Sequence, residues 1–115
     1  MVGAGPVGMS MALLLKKFGI DSVVLERSPD IAEHPKAHVI SPRSMEIMKE
    51  IGVEEEILEK TEPIEQWSTF RYCRSVLDPN PYGILNHFPD GIQNEMAKIR
   101  EHSMSPIVHY SQNRF

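Results

Sequence analysis

The sequence predicts an α/β fold in which a parallel sheet packs against helices. Three observations carry that prediction. A glycine-rich turn occupies residues 3–8, an apolar helical pattern follows it directly, and a β-branched run over residues 22–25 ends at Glu26. This order of turn, helix, strand and acid is typical of a Rossmann-like dinucleotide-binding unit. The sequence therefore predicts at least part of such a unit.

The glycine turn fits the pattern G-x-G-x-x-G, in which each glycine has its own physical reason. Gly3 allows the tight turn, Gly5 lets the backbone approach a pyrophosphate, and Gly8 lets helix and strand pack closely. A helix that begins near Pro6 directs free N–H groups and the positive end of its dipole at that phosphate. The pattern alone is weak because glycine is a common residue, and it is the following elements that make it specific.

The first helix is predicted from apolar residues at i, i+3, i+4 and i+7, which are Met11, Leu14, Leu15 and Phe18. Gly19 is suited to end it in the left-handed conformation. The run Ser22–Leu25 that follows fits a strand buried on both faces. Glu26 stands about 20 residues after the turn, where a carboxylate accepts from both ribose hydroxyls and repels a 2′-phosphate. This favours FAD or NAD over NADP.

The glycine turn should follow a strand of about five residues, but only Met1 and Val2 precede Gly3. We therefore expect the first strand to be largely missing and the chain to be a piece of a longer protein.

Later elements are predicted from local signals. Residues 27–40 are expected to be irregular because Pro29 and Pro35 interrupt them. Ser41 followed by proline predicts a helix start, and Gly52 predicts its end, with Met45, Met48 and Ile51 between them at spacing three. The remaining predictions are a short helix over 54–59, a strand pair within 66–77, turns over 80–90 and a helix over 92–102.

Composition excludes several classes of function. The net charge of −4 supplies no basic surface for nucleic acid. Cys73 is the single cysteine, so no internal disulfide forms and a reducing, cytoplasmic compartment is expected. The apolar stretches are too short to span a membrane. His34 and His38 flank a proline without a carboxylate or thiol, so no metal site is predicted.

Residues 2–8 and 24–27 resemble the N-terminus of the FAD-dependent aromatic-ring hydroxylases. The segment HPKAHVISPRSMEI, residues 34–47, is similar to a segment of the phenol 2-monooxygenase branch that usually has the sequence HPKARGINPRSMEI. Near the C-terminus, Ser105-Pro106 and residues 110–115 resemble the stretch around a flavin-contacting glutamine. The implied fold is a glutathione-reductase-like parallel sheet. Residues 1–60 would form its βαβ-type unit, and 61–115 would begin an inserted, substrate-side region that returns to the flavin site.

The resemblance also implies roles for site residues. It assigns the FAD pyrophosphate to Gly3, Gly5, Pro6, Val7 and Gly8. Glu26 would hold the adenosine ribose, Arg27 would lie beside the adenine, and Gln112 would contact the pyrophosphate or ribityl region. Arg43 either positions the flavin end through bidentate bonds or is a solvated arginine in the first turn of a helix.

His38-Val39 stands where the family usually has Arg-Gly. The family's arginine approaches the flavin phosphates or the incoming nicotinamide nucleotide. Histidine is shorter and mostly neutral at pH 7, so we expect weaker engagement of FAD or NADPH.

By resemblance, the complete enzyme would insert one oxygen atom into a phenolic ring, with FAD as cofactor and NADPH and O₂ as co-substrates. No catalytic residue is identified in this chain, and its oligomeric state is not predicted. Two alternatives stay open: a non-catalytic dinucleotide-binding or interaction module, and part of an NAD-binding Rossmann oxidoreductase. We expect the isolated chain not to hold FAD tightly.

Overall fold

The computed structural model describes residues 1–31, 33–34 and 36–114, so predictions that fall on Ala32, Pro35 and Phe115 lie outside the described residues. The helices are α1 Pro6–Lys17, α2 Pro42–Ile51, α3 Glu54–Glu59 and α4 Ile92–Arg100, with 3₁₀ turns at Ile64–Gln66 and Gln112–Arg114. The strands are β1 Val39–Ile40, β2 Thr69–Tyr72, β3 Gly83–Asn86 and β4 Val108–His109. Both named sheets are antiparallel pairs, β1 with β4 and β2 with β3. Helices and short strands are mixed along the chain, which agrees with the coarse α/β prediction. The prediction of a parallel sheet is not met by these four strands, and among the described residues parallel pairing is limited to the bridge between Val2 and Leu25.

Helix α1 ends as its sequence predicts. Gly19 has a φ of 73°, in the left-handed region that favours glycine. Its N–H donates to the carbonyl of Lys16 at 3.0 Å, and the N–H of Ile20 donates to the carbonyl of Leu15 at 2.8 Å. These two bonds form a Schellman motif, which satisfies carbonyls that the helix end leaves free.

Helix α2 also begins and ends at its predicted residues. The hydroxyl of Ser41 accepts from the N–H of Ser44 at 3.2 Å and so caps the first turn. Gly52 closes the helix with a φ of 85°. Helix α3 spans its predicted residues, and α4 lies within the range predicted for it.

The apolar core lies between α2, α3 and the β1–β4 pair. Met45 and Met48, at the spacing of three seen in the sequence, are buried there. The buried members of the cluster are Ile40, Met45, Met48, Ile57, Val108 and Tyr110. A smaller aromatic cluster connects the β2–β3 hairpin to β4: Trp67 is stacked on His109, with ring centroids 5.4 Å apart, and meets Phe88 edge-on at 5.5 Å.

The prediction of a doubly buried strand over Ser22–Leu25 is wrong. The segment forms a single parallel bridge, between Leu25 and Val2, and Val23 and Leu25 are exposed. Val2, the bridge partner, is itself 92% exposed, so neither residue of the bridge is covered by the rest of the described structure.

The strand predictions in the second half need correction as well. β2 lies within residues 66–77, but its partner β3 lies in the stretch predicted as turns, in the register Thr69–Asn86 to Tyr72–Gly83. β1 falls in a segment predicted to be irregular, and β4 was not predicted at all. Each of these two strands is only two residues long, too short for the period-two alternation that identifies a strand in sequence.

No helix among the described residues is both long enough and apolar enough to cross a membrane.

Candidate functional site

The glycine turn connects the parallel bridge to α1. Gly3 has a φ of 100°, which a residue with a side chain rarely adopts. Its N–H donates to the carbonyl of Leu25 at 2.7 Å, and the N–H of Leu25 donates to the carbonyl of Met1 at 2.9 Å. The chain then enters α1 with Gly5 as N-cap and Pro6 as the first helical residue. Gly5 has no side chain to cap the helix, so the N-terminal end of α1 is open to an external acceptor.

Gly8 is the position where the turn and the helix come closest. A Cβ atom placed on Gly8 would lie 2.0 Å from the carbonyl oxygen of Gly3. Real Cβ atoms do not approach that closely, so any side chain here would push α1 away from the turn. By contrast, a Cβ on Gly5 would meet nothing within 4 Å.

Glu26 is held against the same turn. Its Oε2 accepts from the N–H of Ala4 at 2.7 Å, and its Oε1 accepts from the N–H groups of Arg27 at 2.7 Å and Ser28 at 2.8 Å. These bonds, with that from Ser28 the largest contribution, lower the pKa of the Glu26 carboxyl. The carboxylate is therefore ionised near neutral pH, and its oxygens keep lone pairs that accept further hydrogen bonds.

Gln112 reaches the site by way of β4. The N–H of Tyr110 donates to the carbonyl of His38 at 2.9 Å, and that of Gln112 donates to the carbonyl of Ala37 at 3.0 Å. The side-chain oxygen of Gln112 accepts from the N–H of Lys36 at 3.0 Å. Both the backbone and the side chain of Gln112 are thus fixed on the segment that precedes β1.

A cavity of about 460 Å³ lies between α1, α2 and these paired segments. Pro6 and Val7 line it from the glycine turn, and Gln112 lines it from the opposite side. The structure thus brings together predicted site residues that are more than a hundred positions apart in sequence.

The other predicted site residues are not among those that line this cavity; they are Gly3, Gly5, Gly8, Glu26, Arg27, His38 and Arg43. The side chain of Arg43 is 79% exposed and pairs with Glu46 at 2.6 Å, as a solvated arginine in a first helical turn would. His38 is exposed, and its ring meets that of His109 edge-on with centroids 4.9 Å apart. Arg27 is exposed and contributes its backbone N–H to Glu26. The cofactor roles of these side chains stay predictions.

Two hydroxyl groups in the cavity were not singled out from the sequence. Ser10 lines it one helical turn after Pro6, and Ser44 lines it from the first turn of α2. The four-residue spacing on α1 is a signal that places Ser10 on the face of Pro6 and Leu14. Within residues 1–31, 33–34 and 36–114, no three His, Cys, Asp or Glu side chains come together in a way that could hold a metal ion.

Comparison with known proteins gives consistent results. The family model described as "FAD binding domain" matches residues 1–115. The chain is 34% identical over 76 residues to phenol 2-monooxygenase of Pseudomonas sp. (strain EST1001), a match that covers 66% of this chain and 12% of that protein. It is 30% identical over 77 residues to 2,4-dichlorophenol 6-monooxygenase of Delftia acidovorans, with 67% and 13% covered. The chain thus spans about an eighth of the length of these relatives.

Two solved structures have a similar fold. The flavin-dependent monooxygenase PieE, in complex with FAD and substrate, matches with a TM-score of 0.79 at 22% identity, over 96% of this chain and 19% of that one. Aklavinone-11 hydroxylase, in a ternary complex with FAD and aklavinone, matches with a TM-score of 0.73 at 26% identity, over 98% and 21%.

Proposed function

Because this chain belongs to the FAD-binding domain family, we propose that it supplies the dinucleotide-binding part of a flavin-dependent monooxygenase that hydroxylates phenolic or other aromatic substrates. The observation that carries the proposal is the attachment of Glu26 to the glycine turn, at 2.7 Å from the N–H of Ala4. A carboxylate beside an uncapped helix N-terminus offers an acceptor for ribose hydroxyls and donors for a pyrophosphate within one short stretch of chain.

The proposed cofactor contacts follow from that geometry. The glycine turn, comprising Gly3, Gly5, Pro6, Val7 and Gly8, would wrap the pyrophosphate at the N-terminal end of α1. Glu26 would hold the adenosine ribose, and Gln112 would contact the pyrophosphate or ribityl region. The cavity supports the assignment of Gln112, because Gln112 lines it opposite Pro6 and Val7 of the turn. The assignment of Glu26 rests on its hydrogen bond to the N–H of Ala4.

The Rossmann-like character and the domain division are part of the same proposal. The parallel bridge from Val2 to Leu25, with α1 between its two segments, has the connectivity of a βαβ unit. Residues 1–60 would be that unit, and residues 61–115 would begin a substrate-side region whose last segment returns to the cavity. The β1–β4 pairing, which joins the two ranges, supports this return of the last segment.

Arg27, Arg43 and His38 also have proposed roles toward the nucleotides. Arg27 would lie beside the adenine. Arg43 would position the flavin end if its guanidinium released the Glu46 carboxylate and bound a phosphate group instead. His38 would engage FAD or the NADPH co-substrate more weakly than an arginine does, because histidine is shorter and lacks the guanidinium that binds phosphate bidentately. We expect His38→Arg to tighten FAD binding.

The test is an equilibrium titration of the 115-residue chain with FAD, followed by flavin fluorescence, with FMN and NAD as comparison ligands. We expect weak but saturable binding of FAD, since the isolated chain should not hold FAD tightly, and no binding of FMN, because the proposed contacts are to the adenosine diphosphate half. Glu26→Gln removes a charged acceptor and should weaken FAD binding about tenfold. Glu55→Gln changes an exposed carboxylate of α3 and should have no effect.

Absence of FAD binding would refute the proposal, and so would equal binding of FMN. Binding of NAD more tightly than FAD would instead favour a nicotinamide-binding oxidoreductase. If Glu26→Gln and Glu55→Gln titrate alike, the assignment of the ribose to Glu26 is wrong.

A further inference from the structure

A short segment before β4 is tied to two helices by serine side chains. Ser105 is only 3% exposed, and its hydroxyl donates to Oε1 of Glu54 at 2.9 Å. Its N–H donates to the hydroxyl oxygen of Ser103 at 3.1 Å, and the Ser103 hydroxyl donates to Oε1 of Glu46 at 2.7 Å. Glu46 belongs to α2 and Glu54 to α3, so this serine clamp, Ser103 with Ser105, joins residues 103–105 to both helices.

The second oxygen of each carboxylate lies near a basic side chain. Oε2 of Glu46 lies 2.6 Å from the Arg43 guanidinium, and Oε2 of Glu54 lies 3.8 Å from the Lys49 ammonium. The hydrogen bond from Ser103, followed by that from Arg43, lowers the pKa of the Glu46 carboxyl. The Glu46 acceptor of the clamp is therefore charged, and hydrogen bonds to charged acceptors are stronger than neutral ones.

The clamp stands directly before the strand that leads to Gln112. β4 begins three residues after Ser105 and pairs Val108 with Ile40 and His109 with Val39. The N–H groups of Tyr110 and Gln112 continue this pairing on the C-terminal side of β4, and the serine clamp adds a fixed point on its N-terminal side. A slip of one residue would turn the side chains of the segment to opposite faces.

We propose that Ser105, assisted by Ser103, is a positioning residue for Gln112 in the dinucleotide site. The inference rests on the proposed function, since it concerns how Gln112 is presented to FAD. The clamp holds residues 103–105 against α2 and α3, just before β4. It thereby helps to set the register in which Gln112 contacts Lys36 and the cavity. Ser105 lies outside the residues that line that cavity and acts on the cofactor only through Gln112.

The experiment compares Ser105→Thr with Ser105→Val, which have side chains of the same size and differ by the hydroxyl. Both variants are titrated with FAD and with AMP, which keeps the ribose assigned to Glu26 and lacks the ribityl and flavin groups. We expect Ser105→Val to bind FAD about fivefold more weakly than Ser105→Thr, the loss typical of one hydrogen bond. The affinity for AMP should be the same in both.

A second pair of variants, at Ser103, controls for misfolding caused by substitution of the buried Ser105. Ser103 is partly exposed, so Ser103→Thr and Ser103→Val should both fold and should show the same difference, smaller in size. In a Gln112→Ala background, the Ser105→Thr and Ser105→Val variants should bind FAD equally, because the residue that the clamp positions is gone.

Equal FAD affinity of the Thr and Val variants would overturn the inference, and so would equal losses of FAD and AMP affinity, which indicate general loosening. An undiminished difference in the Gln112→Ala background would also overturn it. If the unmodified chain binds AMP and FAD and only the variant comparison fails, the proposed function survives. If the unmodified chain binds neither ligand, the proposed function itself is refuted.

Discussion

The glycine-turn region, residues 1–26, and the core region around α2, α3 and the β1–β4 pair differ in what holds them together. Helix α1 contains no buried residue, and Val2 at 92% exposure and Phe18 at 73% are open to solvent. In the core region, Met45 is completely buried within a cluster that extends from Ile40 to Tyr110. The residues proposed to bind the dinucleotide lie mainly in the first region, and the apolar burial lies in the second.

The difference indicates that the residues proposed for recognition and the residues that stabilise the fold lie in separate parts of this chain. The glycine-turn region depends on backbone geometry, namely a positive φ at Gly3 and the close approach of Gly8. The core region depends on apolar side chains removed from water, which is the dominant favourable term in folding. Substitutions in the two regions should therefore change different measurable quantities.

The largest effect is expected from Met45→Ala, with Leu13→Ala in α1 as its matched control. Truncation of a fully buried methionine costs about 2–5 kcal/mol of unfolding free energy. Leu13 is 46% exposed, so its truncation should cost under about 1 kcal/mol. Urea unfolding followed by circular dichroism measures both. Equal losses would mean that α1 contributes to the core as much as α2 does.

Gly8→Ala should affect binding and local structure together, whereas Gly5→Ala should affect binding alone. The added methyl group of Gly8→Ala would lie 2.0 Å from the Gly3 carbonyl oxygen and must displace α1, but at Gly5 it meets open space. We expect FAD affinity to fall more than tenfold in Gly8→Ala, with reduced helical circular dichroism. In Gly5→Ala the affinity should fall because the methyl group enters the space proposed for the pyrophosphate, with an unchanged spectrum. A normal spectrum and affinity in Gly8→Ala would contradict the close-packing role.

Gly19→Ala and Gly52→Ala place the same strain at the ends of the two helices. Both glycines have positive φ values, of 73° and 85°, so alanine should cost about 1–2 kcal/mol at either site. In Gly52→Ala the cost should lower the cooperative unfolding midpoint of the core. In Gly19→Ala it should instead increase amide hydrogen exchange near the end of α1, without moving that midpoint. A shift of the midpoint by both variants would show that the two regions unfold as one unit.

The smallest expected effect is the change in unfolding free energy with pH. Burial, with the nearby His38 adding to it and Glu62 opposing it, lowers the pKa of His109 below its ordinary value of 6.5. The unfolded chain therefore takes up a proton first as the pH falls, and the core region loses stability from about pH 6.5 down to the folded-state pKa. Urea unfolding followed by the fluorescence of Trp67, which is stacked on His109, measures this loss.

His109→Gln should remove that slope between pH 7 and 5.5 while leaving the response of the glycine-turn region unchanged. The Glu26 pKa lies below 4.5 because backbone N–H groups stabilise the carboxylate, so its contribution is lost only at lower pH. An unchanged slope in His109→Gln would assign the pH dependence to another group.

The sequence predicts those parts of the fold whose signals lie close together in the chain. Gly19 and Ser41 mark helix ends because a cap involves residues within one or two turns of each other. The β1–β4 pair escapes prediction because Val39–Ile40 and Val108–His109 depend on each other and not on their neighbours. For the same reason the sequence does not show that β2 pairs with β3 across a turn-rich stretch.

The candidate site divides in the same way. The glycines and Glu26 are recognisable from their spacing, and the structure places them against one another. The cavity shared with Gln112 and the serine clamp on Glu46 and Glu54 involve contacts between distant positions. No single-sequence pattern reports such contacts, so these features become visible only in three dimensions.

The β1–β4 pairing has a consequence for the order in which the protein assembles and for how its length can vary. It closes a loop that contains everything from residue 41 to residue 107. The entropy of closing a loop grows only with the logarithm of its length, so doubling the enclosed chain would cost roughly 0.6 kcal/mol. Helix α2 and the β2–β3 hairpin can form early, before this distant pairing closes. Insertions at the exposed stretch around Val76 and Leu77 should therefore change the folding rate more than the final stability.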